Sequence, residues 1–149
     1  MVAATVNLAD YKPWAFSLPK VSLDVEIRDD HVIVSGRLEL ESLLDEAPLE
    51  LQAVDLSIQS LDIDGVPLAP DAWTHSDGIL TIPSPPTGPF ILNTRCRIDP
   101  YANSSLEGLY ASGGLLSTQC EAEGFRRITP HPDRPDVLSR WRVRIEAPR

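Results

Sequence analysis

Short runs in which apolar and polar residues alternate, separated by proline and glycine, constrain the fold of this chain more than any other feature. Residues 21–27, VSLDVEI, place an apolar side chain at every second position. Successive side chains of a β-strand point to opposite faces of the sheet, so this alternation is typical of a half-buried strand. The pair Asp29-Asp30 and a second run from His31 to Leu40 follow, which together predict a β-hairpin.

Later segments show the same pattern and its breaks. The apolar positions of residues 49–63 change parity near Ala53, which predicts a bulge or a break between two strands. Asp64-Gly65 and Asp77-Gly78 are two-residue turn signals between apolar runs, so each predicts a hairpin. The segment 84–89, SPPTGP, ends a strand because its prolines lack the N–H donors of a sheet.

These patterns predict an all-β fold. Counting the runs gives about seven or eight mostly antiparallel strands, packed as a two-sheet β-sandwich. At most one short helix is expected, over residues 134–138, where Asp133 would cap the first turn and Pro135 would lie within it. We expect residues 1–149 to form a single domain, since this length is near the commonest domain size.

Charge and composition limit the partners. The chain has a net charge of -9, and residues 1–119 carry 6 basic against 17 acidic groups, so most of its surface would repel phosphate backbones and nucleic acid is not an expected partner. Arg140, Arg142 and Arg144 alternate with apolar residues and predict the exposed face of a strand.

No apolar run reaches the roughly 20 residues of a membrane-spanning helix, so no membrane partner is expected. With no secretory signal, we expect a cytoplasmic protein with Cys96 and Cys120 reduced.

The segment 117–126, STQCEAEGFR, holds the strongest candidate for a binding site. If it is extended, Gln119, Glu121 and Glu123 share one face, which could bind a cation such as an ammonium group in a cleft. The same spacing is also typical of the solvated side of an antiparallel strand. Spacing alone leaves both interpretations open.

The longer run over residues 103–140, NSSLEGLYASGGLLSTQCEAEGFRRITPHPDRPDVLSR, resembles the amino-terminal domain of zinc aminopeptidases of the aminopeptidase N (alanyl aminopeptidase) type. Members of that family have E-G-L-Y, a glycine-containing turn, T-Q-C-E-A-E-G-F-R and D-R-P-D-V in this order. The likeness before residue 103 is weaker but collinear. The resemblance as a whole implies a saddle-like β domain at the start of a metalloprotease that is several times longer than this chain. The chain would then be a truncated piece of that protein.

The resemblance implies a division of roles between this domain and the rest of such a hydrolase. Gln119 and Glu121 would bind the α-ammonium group of a peptide N-terminus, in a cleft formed with the downstream zinc domain. That domain would supply the zinc ion and the catalytic base in an H-E-x-x-H motif. No histidine of this chain has the i, i+4 partner of such a motif, so we expect no catalytic residue, no metal ligand and no activity in the chain alone. The alternative is a stand-alone β-sandwich that binds an amine, a basic peptide or a protein.

For other residues in and near the segment 117–126, we predict structural roles. Glu123 is expected to form an ion pair with Arg126 or Arg127 rather than to contact substrate. Asp133, Arg134 and Asp136 are expected to stabilise a turn, with a role at a domain interface as a second possibility. His131, between two prolines, is predicted to be a surface turn residue. A chain that ends soon after the strand over 141–145 is expected to leave a sheet edge unpaired and to self-associate.

Overall fold

The computed structural model describes residues 7–148, which form eleven β-strands, two single-turn 3₁₀-helices and no α-helix. The strands are β1 (Phe16–Ile27), β2 (Val32–Ser42), β3 (Leu49–Gln52), β4 (Ser57–Ile63), β5 (Val66–Pro67), β6 (Thr74–Ser76), β7 (Ile79–Ile82), β8 (Pro89–Ile98), β9 (Gly108–Ser112), β10 (Leu115–Gln119) and β11 (Arg140–Glu146). The 3₁₀-helices span Leu8–Asp10 and Phe125–Arg127. The predicted all-β class is confirmed. The predicted boundaries of 1 and 149 lie outside the described residues.

The strands form three sheets. A six-stranded sheet has the order β11-β1-β2-β8-β4-β5, a three-stranded sheet has the order β3-β7-β6, and β9 pairs with β10. Every pairing is antiparallel except that of β1 with β11, which is parallel. The structure has eleven strands rather than the predicted seven or eight, and leaving out the two-residue β5 and the three-residue β6 brings the count to nine.

The hydrophobic core lies between the six-stranded and the three-stranded sheets. Leu38 and Leu92 of the larger sheet and Leu51 and Leu80 of the smaller one are fully buried in a single cluster. Burying such a leucine contributes about 1.5 to 3 kcal/mol, so the two inner faces hold the sandwich together. Cys96 also lies in this core as a free thiol, and burial raises its pKa to about 12.

The predicted turns and the parity break near Ala53 are present in the structure. The hairpin of β1 and β2 and the turns at Asp64-Gly65 and Asp77-Gly78 are confirmed. The parity change near Ala53 is where the chain passes from β3 in the small sheet to β4 in the large sheet. Residues 53–56 between the two strands are not extended, so the alternation of β3 does not carry over into β4.

The predicted helix over residues 134–138 is wrong. Pro135 and Asp136 form a tight turn instead, with the Val137 N–H donating to the Arg134 carbonyl at 3.3 Å. The Asp136 carboxylate bonds the Arg134 guanidinium, which holds the segment as a turn. Within residues 7–148, no helix has the length and hydrophobicity needed to cross a membrane.

Strand β11 lies at one edge of the large sheet. The predicted strand is therefore confirmed, as is the exposure of its arginines. Its apolar side chains are also exposed: Trp141 by 44%, Val143 by 53% and Ile145 by 66%. They continue the inward-facing row of β1, beside Val21, Leu23 and Val25.

Candidate functional site

The candidate site is the turn that follows β10. Strand β10 ends at Gln119, and residues 121–124 form a turn closed by a hydrogen bond of 3.0 Å from the Gly124 N–H to the Cys120 carbonyl. The backbone is therefore not extended beyond Gln119, and the predicted common strand face of Gln119, Glu121 and Glu123 is wrong. The alternation of polar residues continues into a turn, where the two-residue period no longer sets side-chain direction.

Gln119 and Glu121 are nevertheless neighbours. The Glu121 N–H donates to Gln119 Oε1 at 3.2 Å, and both residues are exposed. Across residues 7–148, no ion pair within 4.0 Å uses the Glu121 carboxylate. The Gln119 side chain thus fixes the start of the turn, and the Glu121 carboxylate is left available to a cation from outside the domain.

Two glycines hold this turn against β9. A Cβ added to Gly124 would overlap the Gln119 carbonyl oxygen and lie 2.8 Å from Cys120 Cα. A Cβ added to Gly108 would lie 2.6 Å from Arg127 Cβ and 3.1 Å from the Gly124 carbonyl oxygen. The two backbones therefore meet without room for any side chain. This contact explains the glycines of the E-G-L-Y and E-G-F segments.

Arg126 ties the same turn to the rest of the fold. Its Nε donates to Asp133 Oδ2 at 2.7 Å, and its Nη1 donates to Gln52 Oε1 of β3 at 3.3 Å. Glu123 Oε1 lies 3.5 Å from Arg126 Nη2, so the ion pair predicted for Glu123 is present. Asp133 is the most buried acidic partner, with 9% of its side chain exposed. Sequence reasoning missed Gln52, which is 74 residues away from Arg126.

Asp136 is the centre of a second cluster. It accepts two hydrogen bonds from Arg134, at 2.9 Å and 2.7 Å, and a third from the Tyr11 hydroxyl at 2.8 Å. The Arg134 guanidinium, followed by Tyr11, holds the pKa of this carboxyl well below its usual range. Arg134 also donates to the Lys12 carbonyl at 2.8 Å. The cluster stabilises its own turn and fastens the segment around Tyr11 to it.

The prediction that His131 is a surface residue is wrong. His131 is 7% exposed, and its ring lies 5.1 Å from Phe125 and 5.2 Å from Trp141, measured between centroids. Its backbone makes two hydrogen bonds with Gln52, of 2.8 Å and 3.0 Å. The flanking prolines indicated a loop, but this loop pairs with the edge of β3. Burial lowers the pKa of His131 to about 4.

Comparison with known proteins identifies the domain. The family described as Peptidase M1 N-terminal domain matches residues 11–149. The chain belongs to this family. The resemblance carried by E-G-L-Y, T-Q-C-E-A-E-G-F-R and D-R-P-D-V is thereby confirmed.

The relatives of this M1 N-terminal domain are much longer proteins. It is 46% identical over 143 residues to aminopeptidase N of Caulobacter vibrioides and 38% identical over 139 residues to aminopeptidase N of Escherichia coli. These matches cover 95% and 93% of this chain but 16% of each relative. The chain thus spans about a sixth of the length of these proteins.

Solved structures share the fold of this M1 domain. An aminopeptidase A of Legionella pneumophila, in complex with aspartic acid, superposes with a TM-score of 0.83 at 26% identity, over 93% of this chain and 17% of that one. An M1 zinc metallopeptidase variant of Deinococcus radiodurans, bound to a Tyr-Ser-Ala substrate, gives 0.75 at 16% identity, over 90% of this chain and 33% of the other. The second likeness concerns the fold alone.

The described part of this M1 domain contains no donor set suited to zinc. Over residues 7–148, no group of three or more His, Cys, Asp or Glu side chains is arranged to hold a metal ion. His131 is sterically enclosed by Phe125 and Trp141, and Asp133 is paired with Arg126. The residues described here therefore do not fit a zinc ion.

Proposed function

We propose that this domain is the front part of a zinc-dependent aminopeptidase, in which Gln119 and Glu121 bind the α-ammonium group of a peptide substrate. The observation that carries the proposal is an exposed carboxylate without an ion-pair partner in the described range, on a turn held by the Gln119 hydrogen bond and the Gly108–Gly124 contact. Zinc and the catalytic base would come from the rest of a longer protein, since no donor set for zinc lies in residues 7–148.

Recognition of a peptide N-terminus follows from the charge of the Glu121 carboxylate and from its fixed position on the turn. An enzyme that removes N-terminal residues must distinguish a free ammonium group from an internal peptide bond, and a fixed carboxylate does so because it attracts only the former. A charge-assisted hydrogen bond of this kind contributes about 1.5 to 3 kcal/mol, or roughly one to two decades of binding. The Gln119 side-chain oxygen already accepts the Glu121 N–H, so it also fixes the direction of the turn.

Burial against a second domain is part of the proposal. On the exposed turn, water screens the Glu121 carboxylate, and a surface ion pair contributes only about 0 to 1 kcal/mol. Covering the turn with a catalytic domain would lower the local dielectric and strengthen the attraction for ammonium. We therefore propose that the 149-residue chain alone neither hydrolyses peptides nor captures amines, and that the whole enzyme acts on peptide N-termini in the cytoplasm.

The test is Glu121→Gln in the full-length protein, assayed with an aminoacyl substrate. This change keeps the size of the side chain and removes its charge, so KM should rise about tenfold or more while the bound zinc content stays unchanged. Glu107→Gln is the matched control: it removes another exposed carboxylate, which pairs with Arg127, and KM should stay within about twofold.

Parallel loss of zinc and activity in the Glu121 variant would contradict the assignment to substrate binding. Glu121-dependent binding of an amine by the 149-residue chain alone would instead favour a stand-alone binding module.

A further inference from the structure

The outer face of the six-stranded sheet differs in charge from the rest of the molecule. It carries seven of the 13 basic residues of the chain and only six of its 22 acidic ones. The seven are Lys20, Arg37, Arg95, Arg97, Arg140, Arg142 and Arg144. The acidic charge of the chain is therefore concentrated elsewhere, and this face is where an anion meets the least repulsion.

A groove of about 730 Å³ crosses this face. Basic side chains reach it from four strands: Arg142 and Arg144 from β11, Lys20 from β1, Arg37 from β2, and Arg95 from β8. The floor between them is made by small polar residues, including Ser22 and Ser35. Short side chains between long cationic ones leave space for a small ligand.

Two adjacent cross-strand rows in the groove differ in where their acidic residue lies relative to the arginines. In one row, Asp24 of β1 lies beside Arg144 of β11, and their side chains form an ion pair of 3.6 Å. In the next row, the place equivalent to Asp24 is taken by Ser22, with Arg142 on one side and Arg37 on the other. The acid of the second row, Asp62 of β4, lies beyond Arg37 and Asn93. Two guanidinium groups therefore flank a hydroxyl at the place where the first row has a carboxylate.

The cations of the second row are incompletely compensated. Arg142 makes no ion pair with any described residue, 7–148. Arg37 approaches Glu39 at 3.7 Å, and Glu39 is shared with Lys20 at 3.5 Å. The row is thus short of negative charge at the position where its neighbour has Asp24.

We propose that Arg142, Ser22 and Arg37 form a binding site for a phosphate group. Neighbouring strands lie about 4.8 Å apart, so Arg142 and Arg37 stand about 10 Å apart on either side of Ser22. Each guanidinium can donate two parallel hydrogen bonds to phosphate oxygens, and the Ser22 hydroxyl can donate a third contact from below. Both guanidinium groups stay charged at any physiological pH, so a dianion is matched by two fixed cations.

The groove selects a small anion. Asp24 and Asp62 both line it, on either side of the Arg37 strand, and would repel a continuous chain of phosphates. The site therefore suits inorganic phosphate or the phosphate of a small water-soluble ester.

The test is a titration of the isotopically labelled chain with inorganic phosphate at constant ionic strength, followed by NMR. Backbone and guanidinium N–H signals of Ser22, Arg37 and Arg142 should shift in a saturable way, with a dissociation constant of about 1 mM or below. A parallel titration with glycerol 3-phosphate distinguishes the two sources: tighter binding than inorganic phosphate indicates an ester, and weaker binding indicates the free ion.

Two variants and a control locate the site. Ser22→Asp places the anion of the neighbouring row beside Arg142 and should abolish binding, and Arg142→Gln should weaken it about tenfold. Arg97→Gln removes one cation from the same face, outside the groove, and should change affinity by less than about twofold. Linear shifts without saturation, or equal losses in the Arg97 and Arg142 variants, would overturn the proposal in favour of diffuse attraction. Retained signal dispersion in each variant shows that it is folded.

Discussion

His131 shows how one buried residue couples the fold to pH. Its ring lies among Phe125 and Trp141, and its Nδ1 atom is buried without a hydrogen-bond partner in the described part of the chain. Protonation would place a charge in this apolar contact, which is why burial lowers the pKa to about 4 while Asp133 raises it only in part. The folded state therefore keeps His131 neutral over a range in which the unfolded chain binds a proton.

We predict that folding stability falls as the pH drops from about 6.5 towards 4, because only the unfolded state gains a proton on His131 there. Between pH 7 and pH 4.5 the contribution of His131 is about 2 to 3 kcal/mol. His131→Phe keeps a ring and removes the proton site, so its free energy of unfolding in urea should fall by that much less over the same pH range.

His31→Asn serves as the control, because His31 lies beside Asp30 at the β1–β2 turn and not in the core. An unchanged pH dependence in the His131 variant would show that burial does not control this titration.

At the scale of elements, the turn of residues 120–124 depends on the contact between Gly108 and Gly124. Gly124 has φ -86°, which any residue adopts, so only the lack of space excludes a side chain there. Gly124→Ala should lower the free energy of unfolding by about 1 to 3 kcal/mol. Faster amide hydrogen exchange over residues 119–125 should accompany the loss, since the turn would be pushed away from β9.

A matched pair in the β9–β10 hairpin separates space from backbone strain. Gly108 has φ +71° with Arg127 close by, and Gly114 has φ +81° with nothing within 4 Å of the added Cβ. Both alanine variants carry the backbone strain of a positive φ. The free energy of unfolding of Gly108→Ala should therefore be the lower of the two, and the difference should come from the overlap of the added Cβ with Arg127. Equal stability of the two would contradict the close contact.

The same elements show what the sequence could predict. Strands β1, β2 and β8 could be predicted from the sequence because one face of each is buried. That burial requires an apolar side chain at every second position, as at Leu23 and Leu38. The turn after Gln119 could not be predicted, because its geometry depends on the contact with Gly108 and on a backbone hydrogen bond to Cys120. The spacing of apolar residues carries no information about such contacts. For the site, family resemblance gave Gln119 and Glu121, whereas Gln52 and the burial of His131 come from tertiary pairing with β3.

For the whole molecule, the sandwich leaves open the outer edge of β11, which pairs with no further strand within residues 7–148. Trp141, Val143 and Ile145 are 44 to 66% exposed on one face of that strand. An edge strand also presents free N–H and C=O groups, so two copies can pair edge to edge and bury their apolar rows together. Native edges commonly carry an inward-pointing lysine that prevents this pairing, and the three positions here hold none.

We predict that the 149-residue chain self-associates through β11, with an average mass that rises with concentration in sedimentation equilibrium. Val143→Lys should weaken association about tenfold or more, because pairing would then bury a charge in the middle of the apolar row. Leu115→Lys is the control, since Leu115 is 71% exposed at the tip of the β9–β10 hairpin, which belongs to a different sheet. Equal effects of the two substitutions would indicate non-specific hydrophobic association. A monomer at all concentrations would show that the strand edge alone is too weak to hold two copies together.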